Sequence, residues 1–551
     1  MTAVLENFDY IAFVLALCAS CFVSLRFVHM LQLESYQGPM YFRWLKKNGM
    51  KDYLPLALIF LICLLLDGAL LFVSRSMGSR LPVGAYTAGQ AVIRLLYCVL
   101  MVFVGVTWKR QPQKKPLAFT KRVKRLMAAV AVVCAILSGY SLFVTVYGVV
   151  SPAVYLLLRM GLYLPALLMP FVVGLAYLIT LPVEEGIKRR YFNDAKRILA
   201  GRKDLIKIGI TGSYGKTSTK FILGTILSEK YNTLITPHSY NTPMGITRVV
   251  REQLKPEHQV FVAEMGARYV GDIDELCDLV HPQYGLITSV GKQHLETFGS
   301  LENIVNTKYE LIAGLPADGA AFFNGDNELC RGMYARCPLK KKKLFGIDGE
   351  GLAMQAVHIT AGPGGSHFTL MDSSGETAEC QTMLLGRHNI VNITGCAALA
   401  RELGLTMEEI ARGISKLQPV EYRLQLIPGP VTVINDGFNS NPAGAQAALE
   451  VLRSFPGRKI VVTPGMVELG EEEEALNEEF GRDLAVSADF VILVGEKRTA
   501  PIRRGMLGVE FPEENIFTVK SLEQATGVLG HLSVPGDVVL FENDLPDNYS
   551  E

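Results

Sequence analysis

Gly209-Ile-Thr-Gly-Ser-Tyr-Gly-Lys-Thr217 follows directly on the β-branched run Lys207–Thr211 and opens a helical stretch, Thr217–Glu229. Strand, glycine-rich turn and helix in that order form a phosphate cradle. The backbone N–H groups of the turn and the open N-terminus of the helix both favour an anion. In such a cradle Lys216 reaches the β- and γ-phosphates and the Thr217 hydroxyl holds Mg2+. Gly212, Ser213, Gly215 and Ser218 complete the candidate ATP-binding loop. The strict spacing of this motif would put glycine at 210, where the chain has Ile210; its first glycine comes one residue earlier, so the loop is a variant.

Outward from the loop, short apolar runs alternate with helical patterns. Val260–Ala263, Gly285–Thr288 and Ala320–Phe323 read as buried strands, and Ile273–Val280 reads as a helix between two of them. That alternation predicts a parallel sheet wrapped by helices. Gly386–Leu403 reads as a helix, and Ala361–Ser366 (AGPGGS) reads as a turn. A second α/β pattern begins near Val431, with strands Val431–Asn435, Ile460–Thr463 and Phe490–Val494. The acidic run Glu471–Glu474 fits a solvated helix N-terminus, where negative charge is favoured. Glu264 closes the strand VFVAE, where a carboxylate can complete a magnesium site. His294 (SVGKQHLETFGS) follows another strand and Lys308 (NTKYEL) opens a helix; taken singly, each is more simply a structural or surface residue.

The first third of the chain is of another kind. Across 551 residues 49% are hydrophobic and only 19% charged, and the mean hydropathy is +0.25. The net charge of +1 hides a split: residues 1–200 hold 22 Lys/Arg against 8 Asp/Glu, and residues 201–551 hold 32 against 45. Five stretches are long enough to span a bilayer: Tyr10–Met30, Tyr53–Ser74, Ala88–Trp108, Leu126–Val149 and Val154–Leu181. The predicted fold is therefore a transmembrane helical bundle followed by two α/β domains. Its expected boundaries are 1–183 for the bundle, 184–203 for a linker, 204–420 for the ATP-binding domain and 421–551 for a Rossmann-like C-terminal domain.

Basic residues cluster in alternate loops: Arg43 to Lys51, Lys109 to Arg125, and Lys188 to Arg190. By the positive-inside rule the N-terminus lies outside, and everything after residue 183 is cytoplasmic. Because that charge flanks apolar runs, it suits membrane lipids and excludes nucleic acid as a partner. Arg26, Asp67, Arg94 and Arg159 fall within or near spans, where charge is costly and often functional. The plainer expectation is that Arg26 snorkels and Asp67 pairs with an arginine in the bundle. A helical break is expected around Pro165 and Pro170. The ten cysteines are scattered and read as reduced small hydrophobes.

From about 204 to 470 the sequence resembles the Mur ligases, the ATP-dependent amide-forming enzymes of peptidoglycan synthesis. It is most similar to the branch adding D-alanyl-D-alanine to the stem peptide. The resemblance is carried by GITGSYGKTS, YNTPMGITR (240–248), VAEMGA (262–267), HLETFGSLENIVNTKYEL (294–311), NGDN (324–327), GRHNIVN (386–392), EYRLQ (421–425) and NDGFNSNP (435–442). It implies ATP and two Mg2+ ions as cofactors, with Thr217, Glu264, His294 and Lys308 at the metal. Lys308 matches a lysine carbamylated in this family. His388, Asn389 and Asn392 match its nucleotide-binding HN motif, and Arg423 and Asp436 match ATP contacts brought by the closing C-terminal domain. Asn241, Thr242, Asn439 and Asn441 are the implied substrate contacts.

Departures from the pattern are equally specific. The membrane half stands where family ligases have a soluble domain gripping the UDP end of the substrate. Where related ligases read VKGSR, this chain reads Val539-Leu-Phe-Glu-Asn-Asp544, and the usual GDM is Thr463-Pro-Gly-Met466. The resemblance implies a carboxylate–amine ligase that works through an acyl phosphate. It joins an amino acid or dipeptide to a UDP- or lipid-linked cell-wall precursor. The rival expectations are a membrane ligase of the poly-γ-glutamate type, a nucleotide-binding scaffold without turnover, and a transporter driven by the ATP module.

Overall fold

The computed structural model describes residues 2–34, 36–77, 83–109, 116–147, 152–237, 240–293, 295–362, 365–419, 423–437, 441–467 and 469–543. The chain divides into two compact units that meet in sequence between Lys188 and Arg189.

The first unit holds helices α1 (Thr2–Leu33), α2 (Gly38–Met77), α3 (Val83–Lys109), α4 (Lys121–Tyr147) and most of α5 (Pro152–Gly201). Among the described residues four stretches are long and apolar enough to cross a membrane: Ile11–Leu33, Lys51–Ser76, Ala88–Lys109 and Gly161–Gly201. The expected fourth span, 126–149, falls on α4 and runs beyond the described residues. Phe27, Tyr41, Tyr97, Met101, Val130, Tyr163 and Val173 pack inside the bundle, while Leu65, Phe72, Val92, Phe103 and Ile136 face outward. An outward-facing apolar surface of this kind is what a lipid-facing helix presents, whereas a helix facing water is normally polar on that side.

Polar contacts tie this bundle together. Arg26 pairs with Asp52 at 3.0 Å, so its charge is neutralised across two helices. Asp67 accepts a hydrogen bond of 2.8 Å from the Tyr163 hydroxyl, a contact the sequence did not suggest. The Arg159 side chain lies outside the described residues. The expected break near Pro165 and Pro170 is absent, because α5 runs through both. Proline removes one N–H from a helix but leaves its carbonyls available to neighbours, and the Tyr41 hydroxyl donates to the Pro170 carbonyl at 2.9 Å.

The second unit begins on the last turns of α5, where Ala195 and Leu199 are buried in its core. The stretch 184–203, expected as a linker, is thus helical as far as Gly201. There follow β1 (Ile206–Thr211), α6 (Lys216–Leu227), β2 (Thr233–Ile235), α7 (Pro243–Glu252), β3 (Val260–Glu264), α8 (Asp272–Val280) and β4 (Tyr284–Ile287). Next come α9 (Leu295–Phe298), α10 (Leu301–Ala313), β5 (Ala320–Asn324), α11 (Glu328–Arg336) and β6 (Lys341–Gly346). The lobe ends with β7 (Met354–Gly362), β8 (Gly365–Asp372), β9 (Thr377–Thr382), α12 (Arg387–Glu402) and α13 (Met407–Ser415).

Among the described residues nine strands form one sheet in the order β2-β3-β1-β4-β5-β6-β7-β8-β9. Alternate residues of the central strands enter opposite cores: Ile208, Val262 and Phe322 on one face, Phe261, Ala263 and Phe323 on the other. That two-sided burial is what a parallel sheet covered by helices requires. The sheet is nevertheless mixed, since β7, β8 and β9 pair antiparallel. The expected turn at AGPGGS lies at the β7–β8 connection, where Gly362 pairs with Gly365; residues 363–364 lie outside the described residues.

The C-terminal lobe contains β10 (Gln425–Ile427), β11 (Thr432–Asp436), α14 (Pro442–Arg453), β12 (Lys459–Thr463), α15 (Glu473–Ala485) and β13 (Phe490–Val494). It finishes with α16 (Ala500–Leu507), β14 (Ile516–Val519), α17 (Leu522–Leu532) and β15 (Val538–Glu542). Its sheet order is β10-β11-β15-β12-β13-β14; among the described residues β10 and β11 pair antiparallel and the other neighbours pair parallel.

Candidate active site

The turn between β1 and α6 is shaped by its glycines. Gly215 has φ 79°, and a Cβ there would lie 2.9 Å from the Asn392 amide oxygen. At Gly212 a Cβ would lie 2.1 Å from Thr288 Oγ1. Only glycine lets the loop pass this close to its neighbours. The loop is then stitched to the segment after β4. The Ser213 N–H donates to the Ser289 carbonyl at 2.7 Å, the Ser213 hydroxyl donates to the Gly291 carbonyl at 3.0 Å, and the Tyr214 hydroxyl donates to the Lys292 carbonyl at 3.0 Å. Gly215 caps α6 without any side-chain hydrogen bond, which leaves the first N–H groups of the helix open to an anion.

Lys216 turns back onto the loop, donating to the carbonyls of Gly212 at 2.7 Å and Ser213 at 3.0 Å. Burial pulls its pKa down to about 8; the Glu264 charge opposes that and the Arg423 charge adds to it. The two carbonyl contacts hold the ammonium in place at the loop.

Glu264, at the end of β3, is buried and carries three side-chain contacts. Its Oε1 accepts the Thr217 hydroxyl at 3.0 Å and the Asn241 amide at 3.0 Å. Its Oε2 accepts the Lys220 ammonium at 3.0 Å. Lys220, fully buried, is the residue that reading the sequence missed. The available signal was its position four residues after Lys216, on the same face of α6.

Lys308 lies on α10, 3% exposed, with its ammonium 5.6 Å from the centre of the Phe298 ring. Burial first, and then the charge on Lys216, draw its pKa down to about 7. Among the described residues no carboxylate stands within ion-pair distance of it.

The far wall is α12. Asn392 is buried against Gly215, and the Asn389 amide donates to the Leu385 carbonyl at 2.8 Å. Asn389, Ser218, Phe221, Thr225, Leu384 and Arg423 line a cleft beside α6. His388, one residue earlier, is exposed. Arg423 arrives from the C-terminal lobe, and its charge is felt at both Lys216 and Lys220. Behind it Asp436, at the end of β11, accepts the Leu424 N–H at 3.1 Å. Burial raises the Asp436 pKa, against the pull of that hydrogen bond and of the Arg423 charge. A second tie between the lobes joins Lys292 to Glu472 at 2.7 Å.

Other candidates are differently placed. Thr242 caps α7, accepting the Gly245 N–H at 3.2 Å, and Asn441 caps α14, accepting the Gly444 N–H at 2.9 Å. His294 and Asn439 lie outside the described residues. Among the described residues no group of three or more His, Cys, Asp or Glu gathers into a metal cluster, but a pair of oxygens of the kind Mg2+ takes is present. Thr217 Oγ1 and Glu264 Oε1, two hard oxygens 3.0 Å apart, meet at the mouth of the phosphate loop.

An α/β body with a phosphate loop, an acidic strand end and an arginine delivered from a second lobe defines a nucleoside-triphosphate-using enzyme. Comparison narrows the class. Residues 210–400 match the Mur ligase middle domain, and residues 422–542 match the Mur ligase glutamate ligase domain. The UDP-N-acetylmuramoyl-tripeptide–D-alanyl-D-alanine ligase of Escherichia coli is 32% identical over 317 residues, which make up 57% of this chain and 70% of that enzyme. The Bacillus subtilis enzyme of the same name is 30% identical over 340 residues, 61% of this chain and 72% of that one. Among solved structures, MurF from Acinetobacter baumannii superposes with a TM-score of 0.59 at 28% identity, covering 65% of this chain and 77% of that one. MurF from Thermotoga maritima in complex with ADP gives 0.58 at 27% identity, covering 65% and 80%. The chain belongs to the Mur ligase family and is an ATP-dependent peptide ligase.

Proposed function

We propose that this ligase forms an amide on a cell-wall peptidoglycan precursor, as its D-alanyl-D-alanine-adding relatives are named for doing, and that it does so at the cytoplasmic face of a membrane. The observation that best supports this reading is the Thr217–Glu264 contact beside Lys216 on the phosphate loop, with the Arg423 charge acting on Lys216 and the Lys216 charge on Lys308. A precursor carboxylate oxygen attacks the γ-phosphorus, ADP leaves, and an acyl phosphate results. The amine of an amino acid or dipeptide then attacks the acyl carbon, and inorganic phosphate leaves from the tetrahedral intermediate. Lys216 and Arg423 offset the negative charge that phosphoryl transfer spreads over the phosphate oxygens. The cleft beside Asn389 holds the nucleoside, and Asn241, Thr242, Asn439 and Asn441 are the proposed substrate contacts. Bound Mg2+, held by Thr217, Glu264, His294 and a carbamylated Lys308, would supply Lewis-acid charge at the phosphates. The half-neutral Lys308 amine is what carbamylation needs, since only the free amine attacks CO2.

The proposed topology is five spans with the N-terminus outside and both α/β lobes in the cytoplasm, because the basic loops alternate as the positive-inside rule requires. The full chain in nanodiscs, given ATP and a panel of precursor acids and amines, should release ADP over many turnovers only when both partners are present, and mass spectrometry should find the amide. ADP release that ignores the amine, with no amide formed, would overturn the assignment.

A further inference from the structure

Glu264 is held asymmetrically. Its Oε1 faces the phosphate loop and meets Thr217, while its Oε2 is turned away and bound at 3.0 Å by the Lys220 ammonium. Both members of that ion pair are essentially inaccessible to solvent, at 0% and 1% of their side-chain surface. A buried lysine is costly to desolvate, and an apolar side chain of similar length on α6 would fill the space without that cost. The pair therefore calls for a reason beyond packing.

The coordination chemistry of the carboxylate supplies one. Ca2+ takes six to eight oxygens and accepts a carboxylate through both of its oxygens. Mg2+ demands a near-octahedral shell and is served by single oxygens. With Oε2 committed to Lys220, Glu264 has one oxygen to offer a cation at the Thr217 position. We propose that Lys220 is a positioning residue that restricts Glu264 to one-oxygen coordination and so makes the site discriminate for Mg2+ against Ca2+. The inference rests on the reading that Thr217 and Glu264 hold the catalytic metal. The role assigned to Lys220 is exerted through its contact with Glu264 Oε2.

The test uses the full chain in nanodiscs and the binding of a fluorescent ADP analogue, titrated with Mg2+ and separately with Ca2+. In the parent, Mg2+ should tighten nucleotide binding at much lower concentration than Ca2+. Lys220→Met should shrink the Mg2+/Ca2+ ratio on the order of tenfold, the size expected when a partner orienting a metal ligand is removed. Lys220→Arg, which still donates to Oε2, should keep most of the ratio. If the Met variant does not fold, Lys220→Leu is compared with Lys220→Arg, and the Leu variant, which cannot donate to Oε2, should discriminate less. Equal ratios in the parent and the substituted proteins would overturn the role of Lys220 alone. A parent whose nucleotide binding ignores both cations would instead overturn the metal reading beneath it.

Discussion

Among the described residues no carboxylate forms an ion pair with Lys216, although the Glu264 charge acts on it from a distance. Lys216 donates to two carbonyls of its own loop and sits in the field of Arg423, so its charge is best satisfied by incoming phosphate. Lys216→Ala should therefore lower turnover by about 10²–10³-fold, the usual cost of losing one donor to developing charge. It should leave the chain folded in the membrane, because no core contact is lost. ADP release measured at saturating substrate checks this, and parent-like rates would argue against the phosphate role. Lys308 makes a sharper case. With its pKa near 7, the amine is mostly protonated below that pH and mostly free above it. Uptake of ¹³C-labelled CO2, followed by NMR, should then rise as pH climbs from 6 to 8. Lys308→Ala should lose activity and recover part of it with short-chain carboxylates, whereas Lys308→Arg should stay inactive because a guanidinium cannot become an anionic ligand. An active Arg variant would rule out the carbamate.

At the scale of elements, the β1–α6 turn is the most constrained piece of the site. A Cβ on Gly212 would collide with Thr288 Oγ1 and crowd the Ser289 backbone, and backbone neighbours do not yield cheaply. Gly212→Ala should weaken fluorescent-ADP binding by at least tenfold, in line with strain of about 1–3 kcal/mol at such positions. A contrasting change is Thr406→Ala, which breaks the capping box of α13. About 1 kcal/mol is at stake there, so hydrogen exchange of α13 amides should quicken about fivefold while ATP turnover holds.

The same contrast explains what could be read in advance. The loop, its flanking strand and its helix are local in sequence, so spacing alone announces them. Lys220 and Glu264 are separated by 44 positions, and only the register of β1 against β3 brings α6 over that strand end. The Asp67–Tyr163 contact joins helices 96 positions apart, and hydropathy cannot see it. The antiparallel β7–β9 edge was missed because its strands carry polar residues on the outer face, His367 and Glu379 among them, and lack the continuous apolar run of a buried parallel strand.

For the molecule as a whole, the question is what the apolar helices are for. Four of them are long and apolar enough to cross a membrane, and on the proposed topology covalent attachment to them would hold catalysis at a membrane surface. The basic stretch Lys109–Arg125 offers charge to a lipid diphosphate, yet part of that charge is already used. Arg125 pairs with Glu184 at 2.6 Å, and the Arg122 guanidinium lies 3.9 Å over the Tyr36 ring. Lys121 and Lys124, on the same turn of α4, are exposed and remain available to an anionic headgroup, each worth about 1 kcal/mol near a charged leaflet. We therefore expect a lipid-linked precursor to be used with higher kcat/KM than its UDP-linked counterpart in nanodiscs. Replacing Lys121 and Lys124 together by Ala should lower kcat/KM for the lipid-linked form by about tenfold or more, since two such charges amount to about 2 kcal/mol, and should leave the UDP-linked form unchanged. A parent that prefers the UDP-linked form, or uses both equally, would make the bundle an anchor and nothing more. An unequal parent whose preference survives the double substitution would move the headgroup site away from α4 while keeping the lipid-linked substrate.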